Sequence, residues 1–211
     1  MIEKYKTVRG HGFFEMVERK SRFLGHCAYA ETEDAALAFI EEISKKHYTA
    51  NHNCFCYRVL LENEICRQSD DGEPSKTAGL PMLNVLQGED IRNCVIVVTR
   101  YFGGIHLGTG GLVRSYGGCA KQALLAAGIL ERILCKRLTL TLDYTMAGKI
   151  EYEIIRSGHV IENTVYTDCV EYTVLAETKL AAGFVKRVED ISQGTAGIFE
   201  GEEVYRENKN I

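Results

Sequence analysis

The sequence predicts a two-domain α+β protein, and three observations carry that reading. Helix-period and strand-period segments alternate along all 211 residues, and one apolar run, CVIVVT, has the character of a strand covered on both faces. After about residue 130 the segments fall in the order βαββαβ. Apolar residues make up 45% of the chain and charged ones 26%, a balance that permits a buried core. The length suits one large or two small domains.

Phe13 to Ala30 alternates in polarity around the polar break Glu18 to Arg22, as a strand pair or one bent strand does. Thr32 offers an N-cap to a helix over Glu33–His47, where Ala36, Leu37, Ile40 and Ile43 recur at helical spacing. Acids open that helix and Lys45, Lys46 and His47 close it, in agreement with the macrodipole. Asn51 to Leu61 reads as a strand and Ile65 to Gln68 as its hairpin partner, followed by the acidic turn Ser69–Glu73. Pro74 suits the start of a helix over Ser75–Gln87, although Gly79 and Pro81 interrupt its pattern. Cys94 to Thr99 is the doubly covered strand, and it runs directly into RYFGG. Beyond the glycine loop, Leu112, Tyr116, Cys119, Ala120, Ala123 and Ala127 share one helical face, with Gly128 placed as a C-terminal cap.

The first domain is therefore expected over residues 1–130 and the second over 131–211, with a short joint around Ile129–Leu134. The second reads as strand Leu138–Tyr144, helix Met146–Arg156, strands Val160–Val165 and Val170–Ala176, helix Lys179–Ser192 and strand Ile198–Tyr205. That order is the split, ferredoxin-like βαββαβ pattern.

Composition excludes several classes. No run approaches the roughly 18 apolar residues needed to cross a bilayer, and the charged N-terminus lacks the apolar core of a secretory signal, so no membrane partner and a cytosolic location are expected. The eight cysteines form no CxxC pair and are expected as free, buried thiols. Residues 1–130 carry 15 basic and 15 acidic side chains, whereas residues 131–211 carry 10 and 14, for net charges of 0 and −4. Residues 91–130 reverse that trend, holding Arg92, Arg100, Arg114 and Lys121 and no acid at all. An anionic partner meets least repulsion there.

The segment RYFGGIHLGTGGLVRSYGGCAKQ joins a strand end, a glycine loop and the start of an amphipathic helix. Gly103, Gly104, Gly108, Gly110 and Gly111 are expected to shape a cradle in which backbone N–H groups approach a phosphate, with Thr109 adding a hydroxyl. Arg114 and Lys121 lie seven residues apart, on one helical face, and Arg100 ends the preceding strand, so the three cations are expected to frame one anion. Arg67 and Lys76 are secondary phosphate contacts. Glycines that serve only tight turns and close packing explain the same pattern about half the time, because the segment is neither a Walker A loop nor GxGxxG.

Other constellations favour bland readings. His52, Cys54 and Cys56 alternate on one strand face, but one straight strand rarely wraps a tetrahedral ion, so no metal is assigned. His47 at a helix C-terminus suits the dipole. Cys119 and His106 lack an orienting carboxylate nearby in sequence, and no catalytic residue is assigned. The acidic turn Ser69–Glu73 lacks EF-hand spacing and reads as a solvated turn. No cofactor is expected.

Gly79, Met82, Leu83, Leu86, Ile91, Val97, Val98, Arg100, Tyr101, Phe102, Gly103, Gly104, Leu107 and Gly108 match, in spacing, the pattern of the Impact family. KSRFLGHC (Lys20 to Cys27) and DDGEPSKTAG (Asp70 to Gly79) resemble its bacterial YigZ branch. The resemblance implies a first domain with the fold of ribosomal protein S5 domain 2, shared with a translocase domain of elongation factor G, and a ferredoxin-like second domain. It implies regulation of translation in eukaryotic members, through a partner that controls an initiation-factor kinase; those members carry an N-terminal RWD domain without counterpart in this sequence. For the bacterial branch it implies a nucleic-acid or ribosome-linked role.

Together these readings favour a non-enzymatic, translation-associated protein that binds RNA or ribosomal phosphates through residues 100–121. Two others stay open. One is a regulator that captures a protein partner without RNA, and the other is an enzyme on a small phosphorylated substrate.

Overall fold

A computed structural model describes residues 2–208 of the chain. Two compact units divide it, Met1–Glu131 and Arg132–Ile211. The first contains β1 (Lys4–Val8), β2 (Gly12–Glu18), β3 (Ser21–Tyr29), α1 (Glu33–Lys46), β4 (His52–Val59), β5 (Ile65–Ser69), α2 (Gly79–Gly88), β6 (Cys94–Tyr101) and α3 (Thr109–Ala127). From β7 (Ile129–Leu142) onward follow α4 (Tyr144–Arg156), β8 (Val160–Tyr166), β9 (Val170–Glu177), α5 (Thr178–Ser192) and β10 (Gly197–Glu207). The α+β class read from the sequence is the class observed.

In the first unit the sheet runs β2-β3-β6-β4-β5 with every pairing antiparallel. The CVIVVT strand, β6, is central, and its side chains alternate between two apolar clusters because the strand period is two. Ile96 and Val98 join Met82, Leu86, Leu112, Tyr116 and Ala120 of α2 and α3. Val95 and Val97 join Ala36, Ile40 and Ile43 of α1. Burying each such side chain contributes about 1.5–3 kcal/mol, so β6 is the strand the fold is least able to spare. Its C-terminal end is therefore a rigid platform for whatever follows it.

Thr32 caps α1, accepting from the N–H of Ala35 at 3.2 Å. Helix α2 starts four residues later than the expected Ser75, because Asp70 captures the preceding backbone: its carboxylate accepts from the N–H of Lys76 (2.7 Å), Ala78 (3.0 Å) and Gly79 (2.9 Å). Pro81 then falls within the first helical turn, where no N–H is needed. Strand β1 has no counterpart in the sequence reading; Lys6 bridges Ile91 in parallel, and its carbonyl accepts from the N–H of Arg92 at 2.9 Å.

The second unit has the order βαββαβ. Its strands lie as β10-β7-β9-β8, all antiparallel, with Leu138, Leu140 and Leu142 facing Ile150, Ile154, Phe184 and Val188 of α4 and α5. The segment expected as a joint, Ile129–Leu134, is the first half of β7. Among the described residues no helix is long and apolar enough to cross a membrane.

Candidate functional site

Strand β6 ends at Tyr101, and a seven-residue loop carries the chain to α3. Gly103 is pressed against the β2–β3 turn: its N–H donates to Ser21 Oγ at 3.2 Å, and a Cβ there would lie 2.1 Å from the Lys20 carbonyl carbon. Gly108 forms the N-cap of α3 at φ 73°, in the region that favours glycine, and no side chain caps the helix. Gly110 and Gly111 are ordinary helical residues of its first turn. The N–H groups that open α3, at Thr109, Gly110 and Gly111, thus face outward without a side-chain acceptor.

Arg100 is 4% exposed, which corrects the expectation of a surface cation. Its Nη1 donates to Glu73 Oε1 at 2.6 Å and its Nη2 to Ser21 Oγ at 3.2 Å. The Tyr116 hydroxyl donates to the same Glu73 oxygen at 2.7 Å. Burial, with Cys54 and Glu73 adding to it, pushes the Tyr116 phenol up, so it stays a donor. The guanidinium lies 5.5 Å from the Phe23 ring centre and 5.3 Å from that of Phe102. Arg100 Nε is buried without a partner among the described residues.

The expected frame of three cations does not form. Lys121 pairs with Glu89, beyond the end of α2, and Arg100 with Glu73. Arg114 is exposed, with no carboxylate in ion-pair reach among the described residues. Residues 91–130 contain no acid, but the fold imports two carboxylates from outside that window. Arg67 stands on the edge strand β5 opposite Tyr57, with a guanidinium nitrogen donating to its neighbour Cys66 carbonyl at 3.2 Å. Lys76 is exposed in the loop before α2.

The sequence reading missed Arg19 and Lys20. They occupy the β2–β3 turn at φ 45° and 66°, and Arg19 donates to the His106 carbonyl at 3.4 Å. Arg19 and Arg114 line one depression of about 190 Å³, together with Glu18. The two adjacent basic residues in a turn were the available signal; contact with the loop, which is what brings them to the site, is a tertiary fact.

A second, larger cavity of about 400 Å³ opens between the β6 end, the acidic turn and the start of α3. Asn51, His52, Glu73, Arg100, Phe102 and Thr109 contribute to its wall, and Leu107 and Leu112 make it partly apolar. His52 Nδ1 lies 2.7 Å from the Asp71 carbonyl, which accepts only, so Nδ1 carries hydrogen and Nε2 faces Glu73 Oε1 at 3.9 Å. The acidic turn is corrected from a solvated turn to a scaffold. Asp70 holds the start of α2, Asp71 accepts from the Asn53 N–H at 2.6 Å, and Glu73 is buried.

The cysteines of this region are core residues. Burial pushes the Cys54 and Cys56 thiols up, and takes Cys119 to about 12. Cys119 sits under Phe14, its Sγ 3.9 Å from that carbonyl, while His106 is on the outer loop.

Two family models match: the Impact N-terminal domain over residues 19–124, and a domain of unknown function over residues 140–195. The chain belongs to the Impact family. It is 41% identical to the IMPACT family member YvyE of Bacillus subtilis over 207 residues, 98% of this chain and 95% of that protein. With the IMPACT family member YigZ of Escherichia coli the identity is 35% over 187 residues, 88% of this chain and 92% of that protein. A crystal structure described as that of a hypothetical protein superposes at a TM-score of 0.62 with 32% identity, over 96% of this chain and 99% of that one. Arg100, the glycine loop and the cavity wall all fall inside the matched Impact domain.

Proposed function

We propose that this Impact-family protein is a cytosolic, translation-associated regulator that acts by binding, and that its N-terminal unit engages RNA or ribosomal phosphates on the rim of the glycine loop. The observation that carries this reading is the meeting of exposed Arg19, Lys20 and Arg114 around a loop that presents Phe102 and Ile105, 39% and 41% exposed. Cations that track phosphates beside exposed rings suit single-stranded or looped RNA. Lys76 is a further phosphate contact. Arg100 holds the loop rather than touching the phosphate, and Glu18 limits the strength of the patch. The link to translation comes from the family resemblance.

The test is the salt dependence of binding to a labelled, structured RNA. Replacing Arg19, Lys20 and Arg114 by Ala should flatten the log–log slope by roughly one for each cation that meets a phosphate. If the wild type fails to bind RNA at moderate salt, the RNA reading falls, and capture of a protein partner that survives nuclease treatment takes its place.

A further inference from the structure

We propose that the solvent face of α4 is the contact through which two copies of this chain pair, antiparallel and related by a two-fold axis. Helix α4 buries Ala147, Ile150 and Ile154 in the core of the second unit, and a surface helix ordinarily turns charged and polar residues the other way. Here the other side carries Tyr144, Tyr152 and Ile155, exposed by 53%, 68% and 65%. With Gly148 between them, these positions recur at helical spacing and form one stripe, about 17 Å long at roughly 1.5 Å per residue. Tyr166, at the end of β8 and 64% exposed, stacks on Tyr144 with 6.4 Å between ring centres and widens the stripe. The neighbouring α5 shows the ordinary pattern, since it turns Lys179, Lys186, Arg187, Glu189 and Asp190 to solvent.

The stripe is complementary to itself. Gly148 leaves a notch, with nothing within 4 Å of a Cβ placed there. Antiparallel pairing about the level of Ile150 seats Tyr152 of one copy over Gly148 of the other, and a two-fold contact makes the same fit twice. That register sets Glu151 opposite Lys149, both exposed, and brings Tyr144 to Ile155 and to the Arg156 guanidinium. Lys149 has no carboxylate in ion-pair reach among the described residues.

Charge and area choose the occupant. Residues 131–211 carry a net charge of −4, which opposes a second copy over the unit at large, but α4 itself holds Lys149, Glu151, Glu153 and Arg156 and is neutral. A second copy therefore meets this helix without repulsion, and a basic segment finds no net charge there to draw it. Three tyrosines and one isoleucine, each more than half exposed, offer roughly 400 Å² per copy if a whole side chain counts for about 200 Å². That is about half of the ~800 Å² each partner gives to a standard interface, so a weak pair in the micromolar range is expected. The contact lies wholly in the second unit, apart from Arg19, Lys20 and Arg114, so this reading and the RNA reading fail separately.

Sedimentation velocity on the full chain, from about 1 to about 300 μM at moderate salt, reads the pairing. The wild type should pass from monomer to dimer across that range. Gly148→Arg fills the notch and also removes a glycine from a helix interior, so it should weaken pairing at least about tenfold while the melting temperature at low concentration holds or rises. Ile155→Glu should weaken pairing in the same way with an unchanged circular dichroism spectrum. Charge tests the register: Lys149→Glu sets two glutamates face to face and should weaken the pair, and adding Glu151→Lys should restore it. A wild type that stays monomeric at about 300 μM would overturn the proposal. So would a dimer that Gly148→Arg and Ile155→Glu leave intact, or a double charge variant no tighter than Lys149→Glu alone.

Discussion

Glu73 in the N-terminal unit and Glu153 in the C-terminal unit are both buried carboxylates held by arginine, and their networks are completed differently. Both Glu153 oxygens are used: Oε1 accepts from Ser157 Oγ at 2.9 Å and Arg187 Nε at 2.8 Å, and Oε2 from Arg156 Nη2 at 2.9 Å. Its arginines are 60% and 44% exposed, so their remaining N–H groups reach water. Arg100 has no such outlet, being buried beside a cavity with Nε unmet. One network is closed and serves packing. The other keeps one buried donor unpaired among the described residues, at a local cost in stability.

The largest expected effect tests that contrast directly. Glu73→Ala leaves the Arg100 charge buried and uncompensated, and should cost about 3–5 kcal/mol. Glu153→Ala frees arginines that can turn to solvent, and should cost about 1–2 kcal/mol. Urea unfolding followed by circular dichroism gives both values. Equal losses would break the comparison.

Backbone space separates the units next. Gly103→Ala forces a Cβ against the Lys20 backbone and should destabilise by about 1–3 kcal/mol. Gly148 in α4 has nothing within 4 Å of a Cβ and is exposed, so Gly148→Ala should stabilise by about 0.5–1 kcal/mol. A thermal melt of each variant shows the sign.

Acid should act on both units through buried histidines, and more sharply on the first. Burial lowers His26 to about 4, with His11, His47 and Lys46 adding repulsion. Burial also lowers His159, with Arg187 next. Since a depressed folded value means that the unfolded chain takes up the proton more readily, His26 contributes stability above about pH 6.5 that is lost as pH falls toward 4. His26→Leu should flatten the melting temperature across that window. A curve as steep as the wild type's would place acid sensitivity elsewhere.

Much of the fold was legible because it follows from local periodicity: the doubly covered β6, the capped α1 and the βαββαβ order all appear in the pattern of apolar residues. What was not legible depends on partners distant in sequence. Helix α2 starts late because Asp70 reaches its backbone, and Lys6 of β1 bridges Ile91, far along the sequence. At the site, the glycine loop and the uncapped α3 were readable, whereas the fate of Arg100 and Lys121 was not. Their carboxylates, Glu73 and Glu89, lie 27 and 32 residues away.

The smallest effect on stability carries the sharpest functional contrast. Arg114 is exposed and without a carboxylate partner among the described residues, whereas Arg137 of β7 is held by Glu162 and Glu202 within an acidic unit. Replacing either by Ala should leave the melting temperature nearly unchanged, as is usual for surface sites and exposed ion pairs. On the rim reading, Arg114→Ala should still lower the salt slope of RNA binding by about one, while Arg137→Ala leaves it unchanged. A neutralised cation whose own carboxylates already balance it releases no counterion when RNA arrives, so an equal loss of slope in both variants would mean that RNA contacts the second unit as well.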